Sequence, residues 1–403
     1  MNALGDVSFL IGSGFSGPAG YPTASKLNQR LAKISEHEIC IHSSGNAWFL
    51  EGQKNLNAAW MHLEDRLFVQ EFLEFYQSAL LMGSGAFDYE TFYDYYRRAI
   101  EGNRCPKELV PFFRDFRARH IGIIGSNEHL LQNFHKTFSQ LIANLLSKPP
   151  QRSHLCKPYH PSYEKFLLLV ERLGKSNRVH FHTLNHDLWF ERLAISDSMH
   201  AEMDDGFAEL GSPYYGEMDS REELYLVRLS WFTNKFTRRF RLYKLHGSID
   251  RYWFGGGTAA DLIKVKWGVS HMRLYREILL KGKLQYIDDN GNFYPDFLTG
   301  TTHKIEKYRL GKYYPAIFRH FERNLARSHT LIVIGYGFRD SRINEYIEKH
   351  FLDGTSKSVF VVDIAQPVWS PFSSKRVHFL GNGVSGMDTE FILKRLPRAS
   401  KSA

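Results

Sequence analysis

Apolar residues along the chain follow two patterns, short continuous runs and longer runs at helical spacing. The continuous runs are VSFLI, VHFHTL, RLYKL, TLIVI and SVFVV, and each is followed by glycine or polar residues. Amphipathic segments such as YEKFLLLVERL and DSRINEYIEKHF lie between them. Near-continuous apolar strands that alternate with helices predict a parallel sheet covered on both faces. The predicted fold class is therefore α/β, with a doubly wound parallel sheet.

The segment between the first and second runs has a different pattern. From about residue 57 to 148, apolar and aromatic residues recur at helical spacing, as in LEDRLFVQEFLEFYQSALL and NEHLLQNFHKTFSQLIANLL. This predicts a large, mainly helical insertion. Such aromatic stripes usually pack in a core, but this much aromatic helix outside the sheet also suits a subunit interface. Residues 194–240 and 255–325 carry no pattern strong enough to assign.

Composition narrows the class of protein. The 403 residues are 43% hydrophobic, which allows a large core in one or two domains. No apolar run approaches the ~18 residues of a membrane span, and no basic region precedes the first apolar stretch. The cysteines, Cys40, Cys105 and Cys156, form no C-x-x-C pair, so no cysteine-based zinc site is expected. We therefore expect a cytoplasmic protein.

The net charge of +9 suits nucleic acid or any other polyanion. The basic residues occur mostly singly or in pairs, such as Arg97-Arg98 and Arg238-Arg239. This distribution favours a diffusely basic, solvated surface.

The first strand leads into a glycine-rich turn. Gly12, Gly14 and Gly17 match G-x-G-x-x-G between a strand and a helix, where backbone amides can approach a pyrophosphate. The match alone is weak, and a structural glycine turn is about as common. Residues 18–22 lengthen the loop, and the acidic residue expected ~20 positions later has only Glu36 or Glu38 to supply it. A dehydrogenase is therefore disfavoured.

Four strands carry polar or glycine-rich elements at their carboxyl ends: SFLIGSGFS, VHFHTLNHD, LYKLHGSID and LIVIGYGFRD. Ligands of doubly wound sheets bind at that edge. Each element also has an ordinary explanation, since Asp187 and Asp340 can cap the helices that follow them. Asn185 can form a local turn, and His246 can be a loop histidine. The ordinary explanations leave the repetition at four strand ends unexplained.

The stretch HFHTLNHD raises a second possibility, a metal site built from His180, His182, His186 and Asp187. Along a strand, His180 and His182 share one face, while Asn185 lies beyond the strand end. A zinc site would need a further ligand from distant sequence, and the other three motifs would have no role in it. A metallohydrolase is therefore disfavoured, and no metal ligand is assigned.

Together the motifs resemble those of the sirtuin-like NAD-binding proteins, in the divergent branch found in bacterial anti-phage defence. The resemblance rests on IGSGFSGPAGYPT (11–23), TLNHD (183–187), KLHGSID (244–250) and IGYGFRDSRIN (334–344). It implies a Rossmann-like catalytic domain over residues 1–30 and 178–396. Residues 31–177 would be a helical insertion and a candidate oligomer or partner interface, and 397–403 a basic tail.

The resemblance also implies roles for individual residues. Asn185 and His246 would be catalytic, and the first loop would hold the NAD pyrophosphate. Asp363 would contact the adenosine ribose. The full implied NAD-binding set is Gly12, Ser13, Gly14, Ser16, Thr183, Asp187, Gly335, Tyr336, Gly337 and Asp363.

Two departures from the deacylase sirtuins decide the expected reaction. The chain cannot build their four-cysteine zinc module, and the P-D-F-R end of their first loop is here Pro22-Thr23-Ala24-Ser25. Both favour hydrolysis of NAD itself, as a substrate, with no prosthetic group. The amide of Asn185 suits a ribose hydroxyl and a water, and His246 suits a general base.

The resemblance further implies an NAD-depleting effector of abortive infection that is a homo-oligomer. Its implied partner is a HerA-type hexameric ATPase or another phage-sensing protein, so nucleic acid would be contacted only indirectly. The alternatives are a non-catalytic NAD or ADP-ribose sensor and a nucleic-acid-associated subunit of a defence complex. Protein deacylation is the least favoured.

Overall fold

The computed structural model describes most of the chain. The described residues are 5–42, 46–50, 62–81, 85–101, 106–123, 125–147, 161–195, 198–220, 223–255, 261–266, 268–288, 294–296, 311–353, 357–369, 371 and 374–396. The predicted basic tail, 397–403, lies outside them. No helix in the described part of the chain is long and apolar enough to cross a membrane.

The strands are β1 (Gly5–Ile11), β2 (Ile39–Ile41), β3 (Ala47–Phe49), β4 (Asn177–Thr183), β5 (Met203–Asp204), β6 (Phe207–Ala208), β7 (Tyr214–Ser220), β8 (Glu223–Arg228), β9 (Ser230–Phe232), β10 (Phe240–Lys244), β11 (Arg251–Phe254), β12 (Asp261–Lys264), β13 (Val269–Leu280), β14 (Lys283–Asp288), β15 (Thr330–Ile334), β16 (Ser358–Val362) and β17 (Val377–Leu380).

The α-helices are α1 (Ser13–Ser16), α2 (Ala24–Leu31), α3 (Leu63–Phe75), α4 (Tyr89–Glu101), α5 (Leu109–Arg119), α6 (Asn127–Leu146), α7 (Glu164–Gly174), α8 (Trp189–Ile195), α9 (Tyr313–Arg327), α10 (Ser341–Ile347) and α11 (Thr389–Arg395). A wider π-helical turn extends α3 over Tyr76–Leu80 and α10 over Glu348–Leu352.

A seven-stranded sheet in the order β17-β16-β15-β1-β4-β10-β5 organises the molecule. All neighbouring strands in it run parallel. From β1 the chain builds outward through β4 to β10, then returns to the other side of β1 with β15, β16 and β17. The prediction of a Rossmann-like doubly wound sheet is confirmed. The order reverses between β1 and β15, where such sheets form their ligand crevice.

Helices cover both faces of this sheet, as the continuous apolar runs predict. One face places Phe9, Phe181 and Ile332 against α7, α8 and α11. The opposite face places Leu10 and Val333 against α9 and α10. Burial on both faces explains why these strands show no alternation of apolar and polar residues.

The helical segment forms a second core. Helices α3 to α6, with the β2–β3 hairpin and α2, bury a cluster of aromatic rings that includes Phe68, Phe72, Phe92 and Phe134. The aromatic stripe therefore packs inside the chain, which is the ordinary outcome for such a pattern. Helix α7 contributes to the core of the sheet instead. The domain boundaries predicted at 31 and 177 remain predictions.

Two antiparallel sheets occupy much of the sequence to which we assigned no structure. Their strand orders are β11-β12-β9-β6 and β14-β13-β7-β8. All six residues of β14 are exposed, as are most of those in β8. Strands without a buried face carry no apolar alternation, so their sequences give no strand signal.

The two strand histidines lie in the core beneath α9, on one face of the sheet as predicted. His182 is fully buried and stacks on Tyr243, with ring centroids 4.8 Å apart. Burial lowers the pKa of His182 well below its usual value. His180, 6.4 Å away between ring centroids, contacts Asp6 through Nε2 at 3.3 Å. Both histidines are structural.

Neutral burial of His182 predicts a specific dependence of stability on pH. Its pKa in the folded protein lies below that in the unfolded chain, so the unfolded chain binds the extra proton. The contribution of neutral His182 to the free energy of unfolding is therefore complete above pH ~6.5. Below that pH it falls by up to ~1.4 kcal/mol per pH unit. In His182→Leu, urea unfolding between pH 7.5 and 5.5 should show a smaller loss than in the native chain. Exposed His37→Gln is the control, and an unchanged pH dependence in His182→Leu would contradict this account.

Candidate functional site

Four loops meet at the carboxyl edge of the sheet. They follow β1 (12–16), β4 (184–187), β10 (245–250) and β15 (335–340), the positions indicated by the four motifs. Backbone hydrogen bonds join the first residue of a loop to the last residue of the neighbouring strand. Leu184 N–H donates to the Ile11 carbonyl, and Leu245 N–H donates to the Thr183 carbonyl, both at 2.9 Å. The sheet therefore brings the predicted motifs together.

The β1 and β15 loops touch backbone to backbone. The amides of Gly12 and Gly14 donate to the carbonyls of Ile334 and Gly335 at 2.9 and 3.0 Å. A Cβ on Gly12 would lie 2.5 Å from the Gly335 oxygen, and one on Gly335 would lie 2.4 Å from the Phe15 nitrogen. Gly335 also has a φ of 62°, which favours glycine. These glycines allow the two loops to interlock.

This contact limits which amides of the loop face a ligand. The N–H groups of Gly12 and Gly14 are directed at the β15 loop, so donation to an anion must come from other groups. Ser13 is half-buried and Gly14 is exposed at the surface of the loop. The predicted contact of the β1 loop with a pyrophosphate remains a prediction.

Asn185 fastens the β4 loop to the glycine-rich loop. Its Nδ2 donates to the Gly12 carbonyl and to Ser16 Oγ, both at 3.0 Å. Ser16 Oγ in turn donates to Asp187 Oδ1 at 3.1 Å. Thr183 Oγ1 accepts from the Asn185 N–H at 3.0 Å and shapes the turn. Asn185 Oδ1 accepts no hydrogen bond from the described residues, which leaves it as an acceptor for a ligand.

Asp187 completes the network of hydrogen bonds, here called the clamp, that joins Asn185 to Gly12 and Ser16. Its Oδ1 also accepts from the Trp189 N–H at 2.9 Å, which confirms the predicted cap of α8. Burial raises the pKa of Asp187, opposed by the charge of Lys244 and by these hydrogen bonds. Lys244, 1% exposed, donates to the Asp187 carbonyl at 2.5 Å and to Glu191 at 3.0 Å. The Asp187 carboxylate is thus held within the protein.

His246 lies on the adjacent β10 loop and is 5% exposed. Its Nε2 is 3.4 Å from Asp340 Oδ2 on the β15 loop. Its ring centroid lies 6.3 Å from that of His186, the residue after Asn185. Asp340 Oδ1 accepts from the N–H groups of Arg342 and Ile343, which confirms the predicted cap of α10. The structure thus places an imidazole beside a carboxylate at the sheet edge.

The remaining predicted residues of the β15 and β16 ends lie around this edge. Tyr336 is buried, and its hydroxyl donates to the Asp340 carbonyl and to Asn344 Oδ1, both at 3.0 Å. Burial raises the pKa of the Tyr336 hydroxyl, so it stays a donor. Gly337 has open space beside it. Asp363 is half-buried after β16, and its Oδ1 accepts from the Ile364 N–H at 2.7 Å.

The histidines of HFHTLNHD do not converge. His180 and His182 lie in the core of the sheet, whereas His186 lies at its edge beside His246. Within the ranges that the structure describes, no group of three or more His, Cys, Asp or Glu side chains is placed to hold a metal ion. The roles predicted for Asn185 and Asp187 stay predictions.

Two features of the site were missed in the sequence. Asp340 was assigned only as a helix cap, although its second oxygen faces His246. Lys244 stands inside KLHGSID, yet its buried position under Asp187 was not anticipated. A lysine at the end of a mostly apolar run was the available signal, since lysine is rarely buried without a partner.

Part of the chain is similar to a known protein family. Residues 179–363 match the family model of the SIR2-like domain. Over these residues the chain is similar to SIR2-like domains. The match covers β4 to β16 and so includes Asn185, His246 and the β15 loop, while β1 and its glycine-rich loop precede it. A search of curated protein sequences found no match.

Solved structures of Sir2 homologues resemble this chain only distantly. A mutant Sir2 homologue in complex with ADP-ribose is 11% identical with a TM-score of 0.39, covering 96% of this chain and 91% of that chain. A Sir2 homologue in complex with NAD is 9% identical with a TM-score of 0.39, covering 96% and 88%.

The interlocked loops predict that alanine substitutions at Gly335 and Gly337 lower the free energy of unfolding by very different amounts. Gly335→Ala forces a left-handed alanine and a Cβ into the β1 loop, so unfolding free energy should fall by more than the ~1–2 kcal/mol of the backbone alone. Gly337→Ala, where a Cβ meets nothing within 4 Å, is the matched control and should lose much less. Urea denaturation measures both. Equal losses would show that the loops do not interlock.

Proposed function

We propose that the SIR2-like domain binds NAD at the carboxyl edge of the sheet and hydrolyses it to nicotinamide and ADP-ribose. The observation that supports this proposal is that Asn185 and His246 lie on the loops after two neighbouring strands, β4 and β10, at the sheet edge where the glycine-rich loop also lies. An amide and an imidazole at one ribose supply what hydrolysis of the N-glycosidic bond requires.

The reaction needs orientation more than acid catalysis. The bond between the anomeric carbon and the nicotinamide nitrogen breaks, and its electron pair leaves with nicotinamide, which becomes neutral. Water then bonds to the anomeric carbon of an oxocarbenium-like ribose, and its proton goes to a base. The protein must hold the ribose, exclude bulk water and supply one water molecule.

Asn185 is proposed to hold the ribose and this water through Oδ1. Its Nδ2 is committed to Gly12 and Ser16, which fixes the orientation of the whole amide. A carbonyl oxygen accepts a hydrogen bond from either a ribose hydroxyl or a water. The clamp therefore serves the chemistry, because it pre-positions Oδ1 without using it.

His246 is proposed as the general base that takes the proton from the water or the ribose hydroxyl. Imidazole is the side chain whose usual pKa lies nearest to neutral pH. The position of His246 on the loop beside that of Asn185 lets both groups act at one ribose. A neighbouring carboxylate, Asp340, favours the protonated form that proton transfer creates.

The rest of NAD is proposed to lie along the crevice between β1 and β15. Ser13 and Ser16 would flank the pyrophosphate, with Gly14, Gly335 and Gly337 allowing its close approach. Asp363 would accept from the adenosine ribose, as a carboxylate after a strand of a doubly wound sheet commonly does. In this arrangement Thr183, Asp187 and Tyr336 shape the site from behind.

Hydrolysis is favoured over protein deacylation because the chain has only three cysteines and lacks the arginine of the deacylase loop. A sensor without turnover would need the nucleotide contacts but not a base at the ribose. NAD binding without nicotinamide release would support the sensor instead.

The resemblance extends the proposal to the biological role. We propose a cytoplasmic NADase that depletes NAD in a bacterial anti-phage response and works as a homo-oligomer. A HerA-type hexameric ATPase or another phage-sensing protein would control it, since an unrestrained NADase would harm its own cell. A monomer that is fully active alone at micromolar concentration would contradict this control.

Two single substitutions test the proposed catalytic pair. Asn185→Ala and His246→Ala should each lower nicotinamide release by ~10²- to 10⁴-fold, with a much smaller change in NAD affinity. The double variant should fall little below the worse single variant, since both groups act on one transition state. Turnover is measured by chromatography of nicotinamide and affinity by calorimetry.

Ser16→Ala is the matched control for loosening of the clamp, because it removes one partner of Asn185 Nδ2 and leaves Oδ1. If Ser16→Ala keeps its NAD affinity but loses as much turnover as Asn185→Ala, Asn185 acts only as a clamp. If Asn185→Ala and His246→Ala both keep near-normal turnover while folded, the proposed mechanism is wrong.

The assignment of His180 and His182 to the sheet core predicts that turnover needs no metal. Incubation with EDTA or 1,10-phenanthroline should leave nicotinamide release within about twofold of that in untreated protein. Elemental analysis of the purified protein checks the same point. Stoichiometric zinc whose removal abolishes activity would overturn the assignment of residues 180–187.

A further inference from the structure

Asp340 makes two kinds of contact through two different oxygens. Oδ1 accepts from the Arg342 and Ile343 N–H groups at 3.0 and 3.3 Å, as a helix cap does. Oδ2 faces His246 Nε2 at 3.4 Å, in a pair whose side chains are 14% and 7% exposed. Helix capping uses only one carboxylate oxygen of Asp340. It therefore does not explain why the other oxygen, Oδ2, lies close to the His246 imidazole.

The β15 loop is held in an unusual backbone conformation that directs Asp340 toward His246. Phe338, two residues before Asp340, has a φ of 54°, which is uncommon for a bulky side chain. Its ring stacks on Trp369, with centroids 4.3 Å apart. Asn344 Nδ2 donates to the Phe338 carbonyl at 2.8 Å, and Tyr336 donates to the Asp340 carbonyl. Strain held by several contacts is typical of functional sites.

Two further ionisable side chains among the described residues, His186 and Lys244, lie on the segments next to His246. His186, on the β4 loop, has its ring centroid 6.3 Å from that of His246. Lys244, two residues earlier on β10, directs Nζ to Asp187 and Glu191. Asp340, on the β15 loop, is the carboxylate that faces the Nε2 atom.

We propose that Asp340 is a positioning residue for His246. Its carboxylate keeps the proton on the ring nitrogen that faces it, so the other nitrogen holds the lone pair that accepts a proton. When His246 takes that proton from water, Asp340 stabilises the imidazolium, and the proton later leaves to solvent. The proposal rests on the proposed role of His246 as a base. Asp340 would thus connect the β15 loop to the reaction carried out by Asn185 on the β4 loop and His246 on the β10 loop.

Asp340→Asn separates this role from capping, because asparagine caps helices as well as aspartate does. The variant should keep its thermal stability and its NAD affinity. Nicotinamide release should fall by about 10- to 10⁴-fold, where the upper end is the loss seen when the aspartate of a serine protease triad becomes asparagine. Asp388→Asn, at the cap of α11, is the matched control and should keep normal turnover.

Two pH measurements distinguish a positioning role of Asp340 from a purely structural one, because a helix cap alone would change neither of them. Removal of the carboxylate makes the imidazolium less stable, so it loses its proton at lower pH. The acidic limb of the turnover profile should therefore shift to lower pH in Asp340→Asn. The titration midpoint of the His246 imidazole should shift the same way, measured by NMR of histidine-labelled protein without NAD and assigned with His246→Gln.

The NMR titration separates failure of this proposal from failure of the proposed function. If the native chain releases no nicotinamide but the midpoint shifts, the coupling of Asp340 to His246 stands and the NADase proposal fails. If Asp340→Asn keeps both the native midpoint and native turnover, Asp340 is only a helix cap and the positioning proposal is overturned.

Discussion

The backbone contact between the β1 and β15 loops is the constraint on which the rest of the site depends. It lies where the strand order reverses, and it requires that Gly12, Gly14 and Gly335 have no side chains. Close approach of these loops brings the Gly12 carbonyl within reach of Asn185 and sets the start of the segment that carries Asp340. A single Cβ at Gly335 would disturb all of these positions together.

Buried polar groups then fix the loops that carry the proposed chemistry. Asn185, Ser16 and Asp187 bond to one another, and Lys244 supports them from beneath. Burial of such groups costs free energy unless each has partners, so the network is stable only in one arrangement. This explains how an amide oxygen can be held ready for a ligand: the Nδ2 group of the same amide is already bonded to Gly12 and Ser16.

The sequence predicted the parts of the fold whose residues are buried on both sides. The runs VSFLI, VHFHTL, RLYKL, TLIVI and SVFVV are five strands of the central sheet, and their polar ends meet at one edge. Strands β8 and β14 could not be predicted, because β14 and most of β8 have no buried face. Within the site, the pairing of Asp340 with His246 joins residues 94 positions apart through a loop with an unusual φ at Phe338. Local patterns carry no information about such a contact.

The most direct test of the central claim is hydrolysis of NAD by the purified protein in water enriched in ¹⁸O, followed by mass spectrometry of the products. The proposed reaction releases nicotinamide and places one ¹⁸O on the anomeric carbon of ADP-ribose, at a rate that His246→Ala lowers strongly. Nicotinamide release without a matching amount of free ADP-ribose would show transfer to another acceptor. Tight NAD binding with no release, both alone and with its partner proteins, would contradict the enzyme and leave a sensor.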